Sequence, residues 1–316
     1  MLRARTTAVR ITAIALTGLA LAACTGGSGA GSGGASAVAT GNPETCPGDV
    51  VDVVVSVGQW GDIARSVGGD CATVTTIVSS GSVDPHDFEP GTSDLAAFSE
   101  AELVLLNGAG YDTWASDAVA TLDPEPAVVS AAEIAGTAEG EDPHLWYDPE
   151  TVHAMAGVLA DELAAVSPDA AGYFQERAAT WQQDLRRYTD AVVSLGSLGV
   201  GHTYAATEPV FDRMAAAIGL TDVTPEGYRR ASSNDSDPAP GDLTAFEDAL
   251  ADGTVDVLIY NTQTSGSLPE QLRAAAEDAG VPVVEDSESP AHPDGSFVAW
   301  QVAQLRELSD ALGATP

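Results

Sequence analysis

The chain has 316 residues, 44% of them apolar, enough to bury the core of one large or two modest globular units. Twelve basic residues, all arginine, stand against 47 acidic ones, a formal charge of -35. That balance repels phosphate backbones, which excludes nucleic acid as a partner, and it attracts cations without specificity.

Arg3, Arg5 and Arg10 precede an apolar run from Ile11 to Ala23 that is too short to span a bilayer, so residues 1–23 read as a signal peptide. The run closes on Leu21-Ala22-Ala23-Cys24, which resembles the lipobox of bacterial lipoproteins. The resemblance implies a lipid-modified Cys24 and attachment to the outer face of the cell membrane; an ordinary secreted protein is the alternative. Residues 24–45, rich in Gly and Ser, are expected to be a flexible tether with a root-mean-square reach of about 20–25 Å. Outside the cytoplasm the two remaining cysteines, Cys46 and Cys71, read as a disulfide, since their spacing matches no thiolate zinc motif; two buried thiols are the alternative.

From Val50 short β-branched runs alternate with helical stretches, the pattern of an α/β unit with a mostly parallel sheet. The first lobe, 46–167, is predicted to contain strands at Val51–Val57, Val74–Val78 and Leu103–Leu106, with helices at Asp62–Val67 and Ser93–Ser99. Asp148-Pro149 then starts a helix that runs to about Val166, an N-cap with proline at the first helical position. Phe174, Ala178, Trp181, Leu185, Tyr188, Val192 and Leu195 recur at spacings of four and three, which predicts a rod of about 40 Å over residues 168–197. The second lobe, 198–316, resumes the alternation. Strands are predicted at Tyr204–Ala206, Val255–Tyr260 and Val281–Val284, and helices at Pro209–Ile218, Leu268–Ala279 and Phe297–Leu312. The predicted fold is therefore α/β: two lobes, each with a mostly parallel sheet flanked by helices, joined by one long rigid helix.

Enzyme motifs are missing. The sequence has no His-Glu-x-x-His pair and no Gly-x-Ser-x-Gly elbow, and without lysine it has no P-loop. Two of the five histidines stand out. His86 lies in Asp84-Pro85-His86-Asp87-Phe88-Glu89-Pro90 and His144 in Asp142-Pro143-His144-Leu145-Trp146-Tyr147-Asp148-Pro149. A preceding proline fixes the backbone at both, which lowers the entropy of placing an imidazole. Glu208 follows a predicted strand and precedes Pro209 at a helix start, hence the carboxyl end of a sheet, where open α/β sheets bind ligands.

These two segments, with AELVLLNGAGYDTW from Ala101, TEPVFDRMAAAIGL from Thr207 and VLIYNTQ from Val257, resemble the metal-binding substrate-binding proteins of ABC importers over about Val50 to Leu312. The resemblance implies a metal held in the cleft between two lobes. Matched by position, His86 and His144 are its histidine ligands and Glu208 the third ligand. The fourth is Glu288, with Asp286 as the alternative. His153, His202 and His292 match no ligand position. The expected cargo is Zn2+ or Mn2+, delivered to the membrane permease and cytoplasmic ATPase of an importer by a lipid-anchored monomer that is not an enzyme. A zinc hydrolase is the alternative class and would need an open coordination position, whereas four protein ligands close the site. A surface adhesin is a third reading.

Overall fold

A computed structural model describes residues 36–79, 88–234, 236–264, 266–291 and 295–313. Cys24, His86 and His292 lie outside the described residues. In chain order the first lobe comprises β1 (Ala37–Ala39), β2 (Val51–Val57), α1 (Gly58–Gly68), β3 (Ala72–Val78), α2 (Thr92–Glu100), β4 (Leu103–Leu106), α3 (Thr113–Val119), β5 (Ala127–Ser130), α4 (Ala131–Ala135) and α5 (Pro149–Val166). Its sheet runs β1-β3-β2-β4-β5, parallel except for β1. β2 is central and buried on both faces but for Asp52, as an almost unbroken valine run in a covered parallel sheet should be.

The rod is present as two segments, α6 (Ala171–Asp184) and α7 (Arg186–Gly199), interrupted at Leu185, whose backbone stays helical at φ -62 and ψ -19. Phe174, Ala178, Trp181, Leu185, Tyr188 and Leu195 are buried along its seam, and Val192 is half-buried. The second lobe follows with β6 (Thr203–Ala206), α8 (Asp212–Ala217), β7 (Thr221–Asp222), α9 (Glu226–Ser232), α10 (Pro240–Ala251), β8 (Val257–Asn261), α11 (Ser267–Ala279), β9 (Val283–Asp286) and α12 (Phe297–Ala311). Its sheet, β7-β6-β8-β9, is parallel throughout.

Strand alternation divides the second lobe's core. Val257 and Ile259 of β8 join the large apolar cluster that runs through the first sheet, α5, the rod and α12. Leu258 points the other way, into a smaller cluster with Tyr228, Phe246, Leu250 and Leu272. α12 returns the chain to the first lobe, where the Phe297 amide donates to Asp62 on α1 at 2.8 Å.

Two differences from the sequence expectation concern the N-terminal stretch. β1 falls inside the expected tether 24–45 and pairs antiparallel with β3, so the stretch from Ala37 is part of the first sheet. α1 starts at Gly58 rather than Asp62, because Gly58 and Gly61 face the sheet closely: a Cβ at Gly61 would meet the Thr76 hydroxyl at 2.9 Å. Cys46 and Cys71 are bonded, 25 residues apart in sequence. Closing such a loop constrains the unfolded chain by about 3.5 kcal/mol. Reduction, or Cys46→Ala with Cys71→Ala, should therefore lower the melting temperature while leaving the circular dichroism of the folded state unchanged.

Candidate metal centre

The site is built on loops that leave the carboxyl ends of both sheets, held by buried polar contacts. After β4, Gly108, Ala109 and Gly110 all take positive φ (79°, 56° and 87°), a tight turn. A Cβ at Gly108 would stand 2.7 Å from Ala132 and 2.8 Å from the Ser130 hydroxyl, so glycine is required there. The buried Asp112 carboxylate closes the turn by accepting from the Asn107 amide at 2.7 Å and the Gly108 amide at 2.8 Å. Burial pushes the Asp112 carboxyl up, against hydrogen bonds from Ser56 and these amides that pull it down. The turn delivers Tyr111, which is 1% exposed.

Asn107 also secures the His144 loop, its side-chain amide donating to the Pro143 carbonyl at 2.9 Å. Downstream, Asp148 caps α5 by accepting from the Glu150 amide, with Pro149 in the first turn, a cap worth about 1 kcal/mol. Between these fixed points His144 is 7% exposed, its ring edge-on to Trp146 at 5.4 Å and to Tyr111 at 6.4 Å. Asp142 Oδ1 lies 2.7 Å from His144 Nδ1. A carboxylate only accepts, so Nδ1 carries the proton and Nε2 is left free for a ligand. Burial alone would raise the Asp142 carboxyl, but hydrogen bonds and charge from His144, with Arg213 beside them, hold it below the ordinary range.

The second lobe contributes three carboxylates. Glu208 follows β6, Asp286 ends β9, and Glu288 lies two residues beyond. The Asn261 amide, at the end of β8, donates to Glu208 Oε2 at 2.5 Å and to Glu288 Oε1 at 3.0 Å, which brings the two acids side by side. Across the cleft the Tyr111 hydroxyl donates to Glu288 Oε2 at 3.0 Å. Glu288 is thus satisfied by protein donors from both lobes. Asp286 differs: it is 2% exposed and neither carboxylate oxygen has a hydrogen-bond partner in another of the described residues. Burial, then the charges of Glu288 and Glu208, push its carboxyl well above the usual range. Burial also raises Glu208, with Glu288 adding to the rise, while Thr264, Asn261 and His144 oppose it. The nearby arginines are committed elsewhere, Arg229 to Asp212 and Asp222 and Arg213 to Asp142.

Of the sequence-derived residues, His144, Glu208 and Glu288 line one cavity of about 300 Å³ together with Asp142. His86 lies outside the described residues. His153 contacts Thr189 and His202 contacts Asp256, away from this cavity. Among the described residues no three His, Cys, Asp or Glu side chains converge on one point closely enough to hold a metal as they stand. Tyr111, Asn261 and Arg213 were not singled out from the sequence, although each sits inside a segment that carried the resemblance. Nothing local marks a tyrosine, amide or guanidinium as the partner of a carboxylate 177, 53 or 71 residues away.

Residues 53–311 match the family described as zinc-uptake complex component A, periplasmic. The chain is 26% identical over 248 residues to the manganese-binding lipoprotein MntA of Halalkalibacterium halodurans, covering 75% of this chain and 78% of that protein. It is 22% identical over 244 residues to the high-affinity zinc uptake system protein ZnuA of Bacillus subtilis, 71% of this chain and 75% of the other. The fold matches that of FpvC from Pseudomonas aeruginosa in complex with Mn2+, with a TM-score of 0.69 at 19% identity over 84% of this chain and 99% of that one. The chain belongs to the family of the periplasmic zinc-uptake component A.

Proposed function

We propose that this protein is an extracytoplasmic substrate-binding protein that captures a zinc or manganese ion between its lobes, 46–167 and 198–316, and hands it to the permease of an ABC importer driven by a cytoplasmic ATPase. One observation carries the reading. Glu208 and Glu288 line one cavity with His144, and Asp286 is buried close enough to both acids for their charges to raise its carboxyl, with no arginine left to neutralise them among the described residues. Buried like charges are costly unless a cation compensates them. Relatives named for manganese binding and for zinc uptake agree with this. Imidazole and carboxylate donors suit both ions, with zinc favoured by raw affinity, so selectivity is set by competition between the two.

The ligands are His86, His144, Glu208 and one acid from the end of β9. Glu288 lines the cavity with His144 and Asp286 does not, but hydrogen bonding supports Asp286 for that position, because Glu288 already accepts from Tyr111 and Asn261 while the Asp286 oxygens have no partner among the described residues. Glu288 then serves as the latch that Tyr111 reaches from the opposite lobe. Such a set leaves no position for a reactive water, so the protein carries cargo and catalyses nothing. Calorimetric titration with zinc and manganese tests the reading: Asp286→Asn should lose far more affinity than Glu288→Gln, and the reverse order would assign Glu288 as the ligand. A protein that binds neither ion would overturn the function.

We also propose that Cys24 carries the lipid anchor and that the protein acts as a monomer. Cys24→Ala should leave the membrane fraction and lose label from a fatty-acid precursor, and retention of that label would refute the anchor. A sedimentation mass of twice the chain would refute the monomer.

A further inference from the structure

We infer that Arg213 is a positioning residue that couples the approach of the two lobes to the orientation of His144. The inference rests on the metal-binding reading above. Arg213 is the second residue of α8, five positions after Glu208, and its side chain reaches from the second lobe to the first. Its Nε stands 3.2 Å from Asp142 Oδ2 and 3.2 Å from the Asp142 carbonyl oxygen, to which Nη2 also donates. Nη2 donates in addition to the Thr137 hydroxyl at 3.3 Å. The guanidinium therefore holds the carboxylate, the backbone and the preceding loop at once, which a planar fork can do and an ammonium cannot.

Asp142 passes this on. Its other oxygen accepts from the His144 amide at 3.0 Å and from Nδ1 at 2.7 Å, which fixes the ring and its tautomer. Glu208 and His144 are thus linked across the cleft by α8, Arg213 and Asp142, along a path that does not pass through the ion. Among the described residues the other polar contacts across the cleft near the site are made by neutral groups, Tyr111 to Glu288, and Tyr147 to the Ser287 carbonyl at 2.8 Å and to the Gln304 side chain. Exposed ion pairs contribute little, but the Arg213 side chain is only 22% exposed and has three acceptors.

Charge and position make opposite predictions. An arginine close to a cation site repels the ion, so if charge were its role, Arg213→Met would bind zinc more tightly. If it positions His144, the same variant should bind zinc about 10- to 100-fold more weakly, as is usual when a group that orients a metal-ligating histidine is lost. Zinc affinity is to be measured by chelator competition on the full chain, with release rates by stopped flow and folding checked by thermal melting. Arg213→Lys, which keeps the charge without the fork, should fall between the two. In an Asp142→Asn background, Arg213→Met should add less than about threefold, since the path is already cut. Affinity equal to or tighter than wild type in Arg213→Met, or an undiminished loss in the Asp142→Asn background, overturns the inference. Should the Met variant not fold, Arg213→Lys carries the test: a loss of about threefold or more supports the role and no loss overturns it. Wild-type protein that binds neither zinc nor manganese would instead refute the function itself, and the role of Arg213 with it.

Discussion

Replacing both His86 and His144 by alanine is expected to weaken zinc binding by about four orders of magnitude. A complete four-ligand zinc site is worth about 10–16 kcal/mol, so two ligands account for about half of that, and each 1.4 kcal/mol is tenfold. The effect is large because His144 is placed before any ion arrives. Pro143 precedes it, Asn107 holds the Pro143 carbonyl, Asp142 fixes Nδ1 and two aromatic rings flank the imidazole. Little entropy is lost on ligation, so little is recovered by a substitute. The remaining carboxylates would still attract cations, but weakly and with strong dependence on salt. Titration calorimetry of the double variant, with its folded state checked by circular dichroism, decides the matter, and an affinity within tenfold of wild type would show that the histidines are not ligands.

The second large effect is a pH dependence of stability that reverses sign on metal loading. Glu208 and Asp286 have carboxyls raised above their ordinary values in the folded protein, chiefly by burial and then by one another's charge or that of Glu288. Asp62, Asp112 and Asp212 are raised by burial as well. In the metal-free protein the folded state therefore binds more protons than the unfolded chain above about pH 4, and these groups destabilise it as pH rises through their folded values. Asp142, Asp252 and Asp256, which are lowered, oppose the trend, but the stability they contribute is lost only as pH falls through their low folded values. Metal-free protein should thus melt at a higher temperature at pH 5 than at pH 7. With zinc in a thousandfold excess over its dissociation constant, binding adds about 4 kcal/mol at pH 7. Protons compete with the ion for its ligands, so that gain shrinks as pH falls and the loaded protein should melt at a lower temperature at pH 5 than at pH 7. Thermal melts at the two pH values, with zinc and with chelator, give four numbers. Parallel slopes would contradict the placement of these acids at the ion.

Much of this architecture is legible before folding. The valine run of β2, the spaced aromatic seam of the rod and the Asp148-Pro149 helix start are local signals, and each element forms where its pattern stands. Four-residue β5 and three-residue β1 are too short to show periodicity, and β1 lies in a stretch whose composition reads as linker. α10 is not among the predicted helices either, because only Phe246 and Leu250 of it are fully buried and its remaining apolar residues, Leu243 apart, are small. The two candidate acids after Val284 differ in their place relative to the strand. In β9, Val284 and Asp286 are buried while Glu285 is exposed, so alternation by two puts Asp286 on the inward face and Glu288 beyond the strand. Tyr111 and Arg213 carry no such signal, because their partners are set by how the two lobes meet, and the partners of Asn261 are set by which strands flank β8 in its sheet.

The central claim is that one divalent ion binds between the lobes, on nitrogen from the first and carboxylate oxygen from the second. Anomalous difference density at the zinc edge, from crystals of the zinc-loaded protein, tests it most directly. A single strong peak is expected at about 2.0–2.2 Å from His144 Nε2, from a carboxylate oxygen of Glu208 and from one of Asp286, with His86 completing the set. A full-occupancy peak elsewhere on the molecule, with none between His144 and Glu208, would contradict it.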